Sequence, residues 1–227
     1  VVRVVYAGGG IVLNQQRTEE PAALRRAARY EDAAARTLAA RASPQEIDWR
    51  SKDGFRYVVT GTVGADSLAA LADRVRAALQ KFPAEVRAEV PIIFSAHSLP
   101  ERIQTWNDPY PAELRATMEA IMSRLGKHPH EFAFQSAAIS NEPWLGPDVG
   151  AALDRLAAAG RRQALITPIG FVVEHVEILY DIDIVYQQQA QTLGLHLDRI
   201  AMLGSAPAGM NDLAKLVGRR AEEADWL

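Results

Sequence analysis

Residues 91–100 read PIIFSAHSLP, and the fold is decided there. Pro91–Phe94 is a short apolar run that ends in a polar turn, Ser95–Pro100, which is the signature of a buried strand rather than a half-exposed one. Upstream, Ser67–Phe82 carries Leu68, Leu71, Val75 and Leu79 at three- and four-residue steps, which predicts an amphipathic helix. Downstream, the pattern predicts a helix over Pro111–Leu125, a strand over Phe132–Gln135, a helix over Val149–Ala159 closed by Gly160, and a strand over Gln163–Pro168. Phe171 onward reads as helical to Gln191, with Gly194 as the stop. Leu195–Met202 is a last extended segment and Ala208–Ala224 a last helix. Strict helix–strand alternation implies an α/β fold, a Rossmann-like parallel sheet with helices on both faces. In such sheets ligands gather at the carboxyl ends of the strands, so the chemistry is expected after Phe94, Gln135 and Pro168.

Before Ser67 the pattern is different. Val1–Ala7 predicts a short strand broken by Gly8, Gly9 and Gly10, Glu20–Ala42 a long helix with Pro21 in its first turn, and Phe55–Val63 a further strand. Two segments are therefore expected, 1–66 and 67–227. The whole chain has 227 residues, 25 basic against 28 acidic side chains and no cysteine. A net charge of −3 offers no field for a nucleic-acid backbone. Without cysteine there is no disulfide, thiolate zinc site, cysteine nucleophile or cysteine-ligated iron–sulfur cluster. No stretch approaches the 18 or so apolar residues that a bilayer span needs. The expected location is the cytoplasm.

Three segments carry candidate chemistry. His97, flanked by Ser95 and Ser98, stands at a strand's carboxyl end, where a neutral imidazole can bind a transition metal or take a proton. The plainer alternative is a loop histidine with a local hydrogen bond. After Gln135 and Ser136, Trp144 lies among Pro143, Gly146 and Pro147, as a rigid wall for a flat ligand or as a plug in the core. After Pro168, Glu177 and Asp181 are four apart and share a face if the segment is helical, with Glu174 one turn earlier on that side. Like charges at that spacing cost stability, and Phe171, Val172, Val173, Ile178 and Leu179 are too apolar for a fully solvated helix. A cation or a proton route is the better explanation. Oxygen and nitrogen ligands suit a borderline divalent metal such as iron.

FSAHSLPERI, then NDPYP, then AFQSAAISNEPWLGPDV, then PIGFVVEHVEILYDIDI, in this order, resemble ferrochelatase from about Ser67 to about Val217. That family inserts Fe²⁺ into a porphyrin, protoporphyrin or coproporphyrin, in the last steps of heme synthesis. The resemblance implies a chelatase-like fold, with residues 67–227 as a complete second lobe carrying the motifs. Signatures of the first lobe are not found in residues 1–66, which implies a truncated or divergent remnant there. It implies that His97 binds the metal, takes pyrrole protons, or both. Glu177 corresponds to the glutamate opposite that histidine, and both are the implied catalytic pair. Asp181 corresponds to the next acidic position, relaying metal or protons, so that His97, Glu177 and Asp181 are the implied metal contacts. His175 corresponds to the histidine before the glutamate. Trp144 lines the porphyrin cleft, and Ser95 and Gln135 fall near the pocket.

Fe²⁺ and porphyrin are then the substrates, and no prosthetic group or iron–sulfur cluster is implied. No nucleic-acid partner is expected, and the resemblance leaves room for transient contact with a membrane or another heme-pathway enzyme. Departures from the family pattern are Glu174 for Asp, Val185 for a further glutamate, and Asn107 for glycine before Asp108. Three other readings stand beside this one. They are a catalytically impaired relative that binds porphyrin or metal, a chelatase for another tetrapyrrole, and a nucleotide-binding module using Ala7–Gly10.

Overall fold

Ile92, Ile93 and Phe94 are all fully buried, and their alternation explains why the protein needs two helical layers. Successive strand side chains point to opposite faces. Ile92 and Phe94 pack into one apolar cluster, and Ile93 packs into another on the far side of the sheet. Each such burial contributes about 1.5–3 kcal/mol. The computed structural model describes residues 2–7, 10–15, 57–59, 64–106, 108–138 and 141–223. The helix expected over Glu20–Ala42 lies outside them.

The described strands form two sheets. β1 (Val2–Ala7), β2 (Gly10–Gln15) and β3 (Tyr57–Val59) make an antiparallel sheet in the order β1-β2-β3. The strand expected at Val1–Ala7 is present. It is followed by an antiparallel partner and not by a helix, so Ala7–Gly10 lacks the strand–turn–helix setting that a phosphate-binding glycine loop requires.

The larger sheet contains β4 (Ile92–His97), β5 (His130–Gln135), β6 (Gln163–Pro168) and β7 (His196–Arg199). All neighbours are parallel, and the order is β5-β4-β6-β7. The α/β expectation holds. One face is covered by α1 (Ala65–Leu79) and α2 (Tyr110–Leu125), through Leu71, Val75, Leu114 and Ile121. The other is covered by α3 (Val149–Ala158), a π-helix (Glu177–Tyr186) and its continuation α4 (Gln187–Thr192), through Leu153, Ile178, Ile182 and Ala190. α5 (Pro207–Glu223) closes the described chain.

The strand order reverses between β4 and β6. β4 connects outward to β5, and the chain then returns across β4 to β6 and continues to β7. β4 is therefore the switch point of the sheet, beside whose carboxyl end such folds bind their ligands.

One predicted element begins late. The helix expected from Phe171 starts at Val176 and takes π geometry from Glu177. The backbone before it is spent elsewhere. Ile169 and Gly170 donate their N–H groups to the Ser95 carbonyl at 2.8 and 3.2 Å, and the Val172 carbonyl accepts from Gly204 N–H at 2.6 Å. Gly170 is required at this crossing, since a Cβ there would lie 2.5 Å from Ala96 Cβ and 2.8 Å from Ala96 Cα. The segment lies directly on the end of β4.

Candidate active site

His97 is the last residue of β4, at the carboxyl end of the sheet. Its ring Nδ1 meets the Ser98 carbonyl, which can only accept, so Nδ1 carries the hydrogen. Nε2 is left with a lone pair, and it faces Glu177 Oε1 at 3.4 Å. Both side chains remain about one-third exposed, at 30% and 37%, and are open to a ligand.

The backbone beneath His97 is rigid. The Tyr110 hydroxyl donates to the His97 carbonyl at 2.7 Å, and its ring stacks on Phe134. Burial first, then the charges of Asp108 and Glu177, hold the Tyr110 hydroxyl well above its ordinary pKa, so it stays a donor. Burial likewise raises Asp108, against the Tyr110 N–H bond that its carboxylate accepts at 2.8 Å.

Glu177 opens the π-helix. Ser95 Oγ donates to Gln135 Oε1 at 2.8 Å, which turns the Gln135 amide nitrogen toward the Glu177 carbonyl, to which it donates at 3.0 Å. Ser95 and Gln135 are fully buried. Their side chains link β4 and β5 to the Glu177 carbonyl. Glu177 N–H donates to His175 Nδ1 at 3.3 Å, and the His175 ring lies 4.6 Å from that of Phe171. Asp181, on the next turn, accepts from the Ser136 hydroxyl.

Trp144 stands beside the pair, its ring 6.4 Å from that of His97 and tilted by 50°. Two crossing strands of loop fix it. Pro100 and Trp144 form an antiparallel bridge, Leu145 N–H donates to the Leu99 carbonyl at 2.8 Å, and Ser98 Oγ donates to the Leu145 carbonyl at 2.8 Å. These bonds anchor Trp144 next to the imidazole.

Glu174 departs from the expected acidic face. It precedes the helix and pairs with Arg199, whose Nη1 and Nη2 meet Glu174 Oε1 and Oε2 at 3.1 and 3.0 Å. The same guanidinium binds Asp183 Oδ1 and Oδ2 at 2.6 and 2.8 Å. The carboxylates of Asp183 and Glu174 hold Arg199 firmly protonated. Sequence reasoning missed Arg199, because nothing in a lone arginine at a strand's end announces two acidic partners 16 and 25 residues earlier. It also missed Tyr110 and Ser136. Among the described residues no three His, Asp or Glu side chains converge closely enough to hold a metal ion by themselves. No helix of the described residues is long and apolar enough to cross a membrane.

Comparison with known proteins gives the chain's relatives. A sequence model of the family described as Ferrochelatase matches residues 26–221, beginning well before the first quoted motif. A ferrochelatase of Herpetosiphon aurantiacus is 48% identical over 169 residues, 74% of this chain and 51% of the relative. One from Deinococcus radiodurans is 40% identical over 171 residues, 74% of this chain and 54% of the relative. A mitochondrial ferrochelatase of Bos taurus is 40% identical over 149 residues, covering 64% and 36%. The chain thus spans about half the length of the curated bacterial relatives it matches. A family match across most of its residues, on top of the quoted motifs and the parallel sheet that presents them, means that this chain belongs to the ferrochelatase family.

Proposed function

We propose that this chain carries the metal-inserting machinery of a ferrochelatase and places Fe²⁺ in a porphyrin during heme biosynthesis. The observation that supports this most is His97 Nε2 turned toward Glu177 Oε1 across 3.4 Å, both side chains partly exposed at the carboxyl end of the sheet. A free porphyrin holds two protons on its inner nitrogens, and both must leave as the metal enters. A planar macrocycle hides the nitrogen lone pairs in its own plane, so bending it, with energy drawn from binding across the cleft, opens them to the metal.

In this reading His97 Nε2 accepts a pyrrole proton, and Glu177 beside it stabilises the imidazolium or takes the proton onward. Glu177 and Asp181 draw the hydrated Fe²⁺ toward the site. The porphyrin itself supplies four nitrogen ligands, so the protein needs only a transient contact with the metal. Trp144 supplies a flat wall for the macrocycle and His175 borders the same cleft. Val173, Val176, Leu179 and Tyr180, exposed apolar side chains of the segment that bears Glu177, suit an apolar ligand. Residues 67–227 form the motif-bearing lobe and residues 1–66 a divergent part of the first lobe. The protein works in the cytoplasm, without an iron–sulfur cluster.

The test is anaerobic Fe²⁺ insertion into protoporphyrin IX and coproporphyrin III, with Zn²⁺ as a stand-in, followed by absorbance and fluorescence. His97→Ala should lower the rate by roughly a hundredfold or more, the upper part of the range for loss of an acid–base group. The rate ratio for the two porphyrins identifies the substrate. Porphyrin binding with no insertion above the protein-free rate would support the binding-only reading instead.

A further inference from the structure

The peptide group between His97 and Ser98 is gripped at both ends. Its carbonyl accepts from the Tyr110 hydroxyl at 2.7 Å, and its N–H donates to the Gln135 carbonyl at 2.7 Å. The second grip continues the parallel ladder of β4 and β5. The first comes from a different element, 13 residues further along the chain. The following peptide is held too. Ser98 is 1% exposed and its Oγ donates to the Leu145 carbonyl at 2.8 Å, while its own carbonyl takes the hydrogen of His97 Nδ1. The imidazole thus takes its tautomer from a carbonyl one residue along its own backbone. That carbonyl meets Nδ1 only while the peptide between them keeps its plane.

Tyr110 is built for a fixed reach. It opens α2, and its N–H donates to Asp108 Oδ1 at 2.8 Å. Its ring is 3% exposed and stacks on Phe134, with centroids 6.4 Å apart and planes at 28°. A phenylalanine would supply the same ring to the core. The hydroxyl is the only addition, and a buried hydroxyl must find a partner. Its described partner is the His97 carbonyl.

We propose that Tyr110 is a positioning residue, whose hydroxyl holds the His97–Ser98 peptide so that the imidazole keeps its hydrogen on Nδ1 and presents the Nε2 lone pair. The proposal rests on the insertion reading only for the effect on rate. The tautomer can be read in the resting protein without turnover.

Tyr110→Phe keeps the ring and removes the bond. The ring ¹⁵N shifts of His97, assigned by comparison with His97→Ala, distinguish an N–H from a bare nitrogen at each position. They are recorded at about pH 8.5, where an ordinary imidazole is neutral. The wild type should hold its hydrogen on Nδ1. In Tyr110→Phe the ratio of the Nδ1–H to the Nε2–H form should fall by roughly three- to tenfold, the range that one hydrogen bond supplies. In Zn²⁺ insertion kcat should fall by a similar factor, with the KM for porphyrin unchanged. Val75→Ala is the control for stability alone. Val75 is buried in the same apolar cluster as Tyr110, so this variant should melt lower and leave the tautomer as it was. The proposal is overturned by a tautomer ratio that Tyr110→Phe leaves unchanged, by an equal change in Val75→Ala, or by a wild type with its hydrogen on Nε2. A tautomer that responds to Tyr110→Phe in a chain that inserts no metal would refute the insertion reading and leave the role of Tyr110 standing.

Discussion

The π-helix is held on two flanks by opposite kinds of chemistry. On the β5 side its partners are neutral. Gln135 donates to a backbone carbonyl of Glu177, and Ser136 donates to one oxygen of Asp181. On the β7 side the partner is a guanidinium that engages all four oxygens of Glu174 and Asp183. Four acidic side chains within ten residues are thus sorted into two pairs. One pair is neutralised and serves as an anchor. The other, Glu177 and Asp181, meets no arginine or lysine among the described residues; Glu177 faces His97 and Asp181 accepts from Ser136. The lesson is that a row of carboxylates in a sequence does not specify a metal path until the cations that neutralise some of them are located.

Removing the charged anchor should have the largest effect on stability. Arg199→Gln leaves Glu174 and Asp183 near each other with no counter-charge. Arg199 is only 16% exposed, so the loss should be on the order of 2–3 kcal/mol, toward the range for breaking a partly buried pair. For a chain of this size that is roughly a 5–10 °C fall in Tm. The deficit should shrink as pH falls through the carboxylate range, because protonation relieves the repulsion that the arginine had cancelled. Equal deficits at pH 4.5 and pH 8 would mean that Arg199 acts by packing alone.

Gly170 tests the crossing from which both flanks are hung. Gly170→Ala forces a methyl into Ala96 and should cost about 1–3 kcal/mol while shifting the segment that carries His175 and Glu177. Adding Ala96→Gly should recover part of the loss, and melting curves of the double-mutant cycle measure that recovery. Strict additivity would show that the contact with Ala96 is not the cause.

The smallest effect is expected away from both flanks. Burial pushes the Glu113 carboxyl in the first turn of α2 from an ordinary 4.5 up to about 7. A carboxyl whose folded pKa is raised is destabilising once ionised. Its cost is absent below about pH 4.5, grows as pH rises, and is complete above about pH 7. Glu113→Gln should therefore raise Tm at pH 8 but not at pH 4, by a few degrees at most, since the group is partly solvated. A gain that is independent of pH would assign the effect to helix propensity instead.

Parts of this protein were legible from residues alone. The strand predicted over Gln163–Pro168 has the bounds of β6, because the apolar run Ala164–Ile166 of a parallel strand buried on both faces is legible locally. α2 and α3 matched to within a residue, since proline near the start of α2 and Gly160 after α3 mark their ends locally. Phe171–His175 was misread as helix because its side chains favour none of the alternatives. Ile169 and Gly170 just before it bond to Ser95 and Val172 within it to Gly204, all far away in sequence, and periodicity cannot reveal that.

By itself, the sequence determined the layer architecture and the strand ends at which chemistry would collect, because alternation and apolar runs are local consequences of what each segment must bury. It also named the imidazole, the tryptophan and the two carboxylates, whose types limit the chemistry. The tertiary structure alone decided that β4 lies between β5 and β6 and so is the switch point of the sheet. It alone decided that the free lone pair of His97 is Nε2, that Arg199 withdraws Glu174 and Asp183, and that Ser136 donates to Asp181. These are pairings between residues far apart in the chain. Electrostatic and hydrogen-bond energies depend on distance in space, and only the folded chain sets those distances.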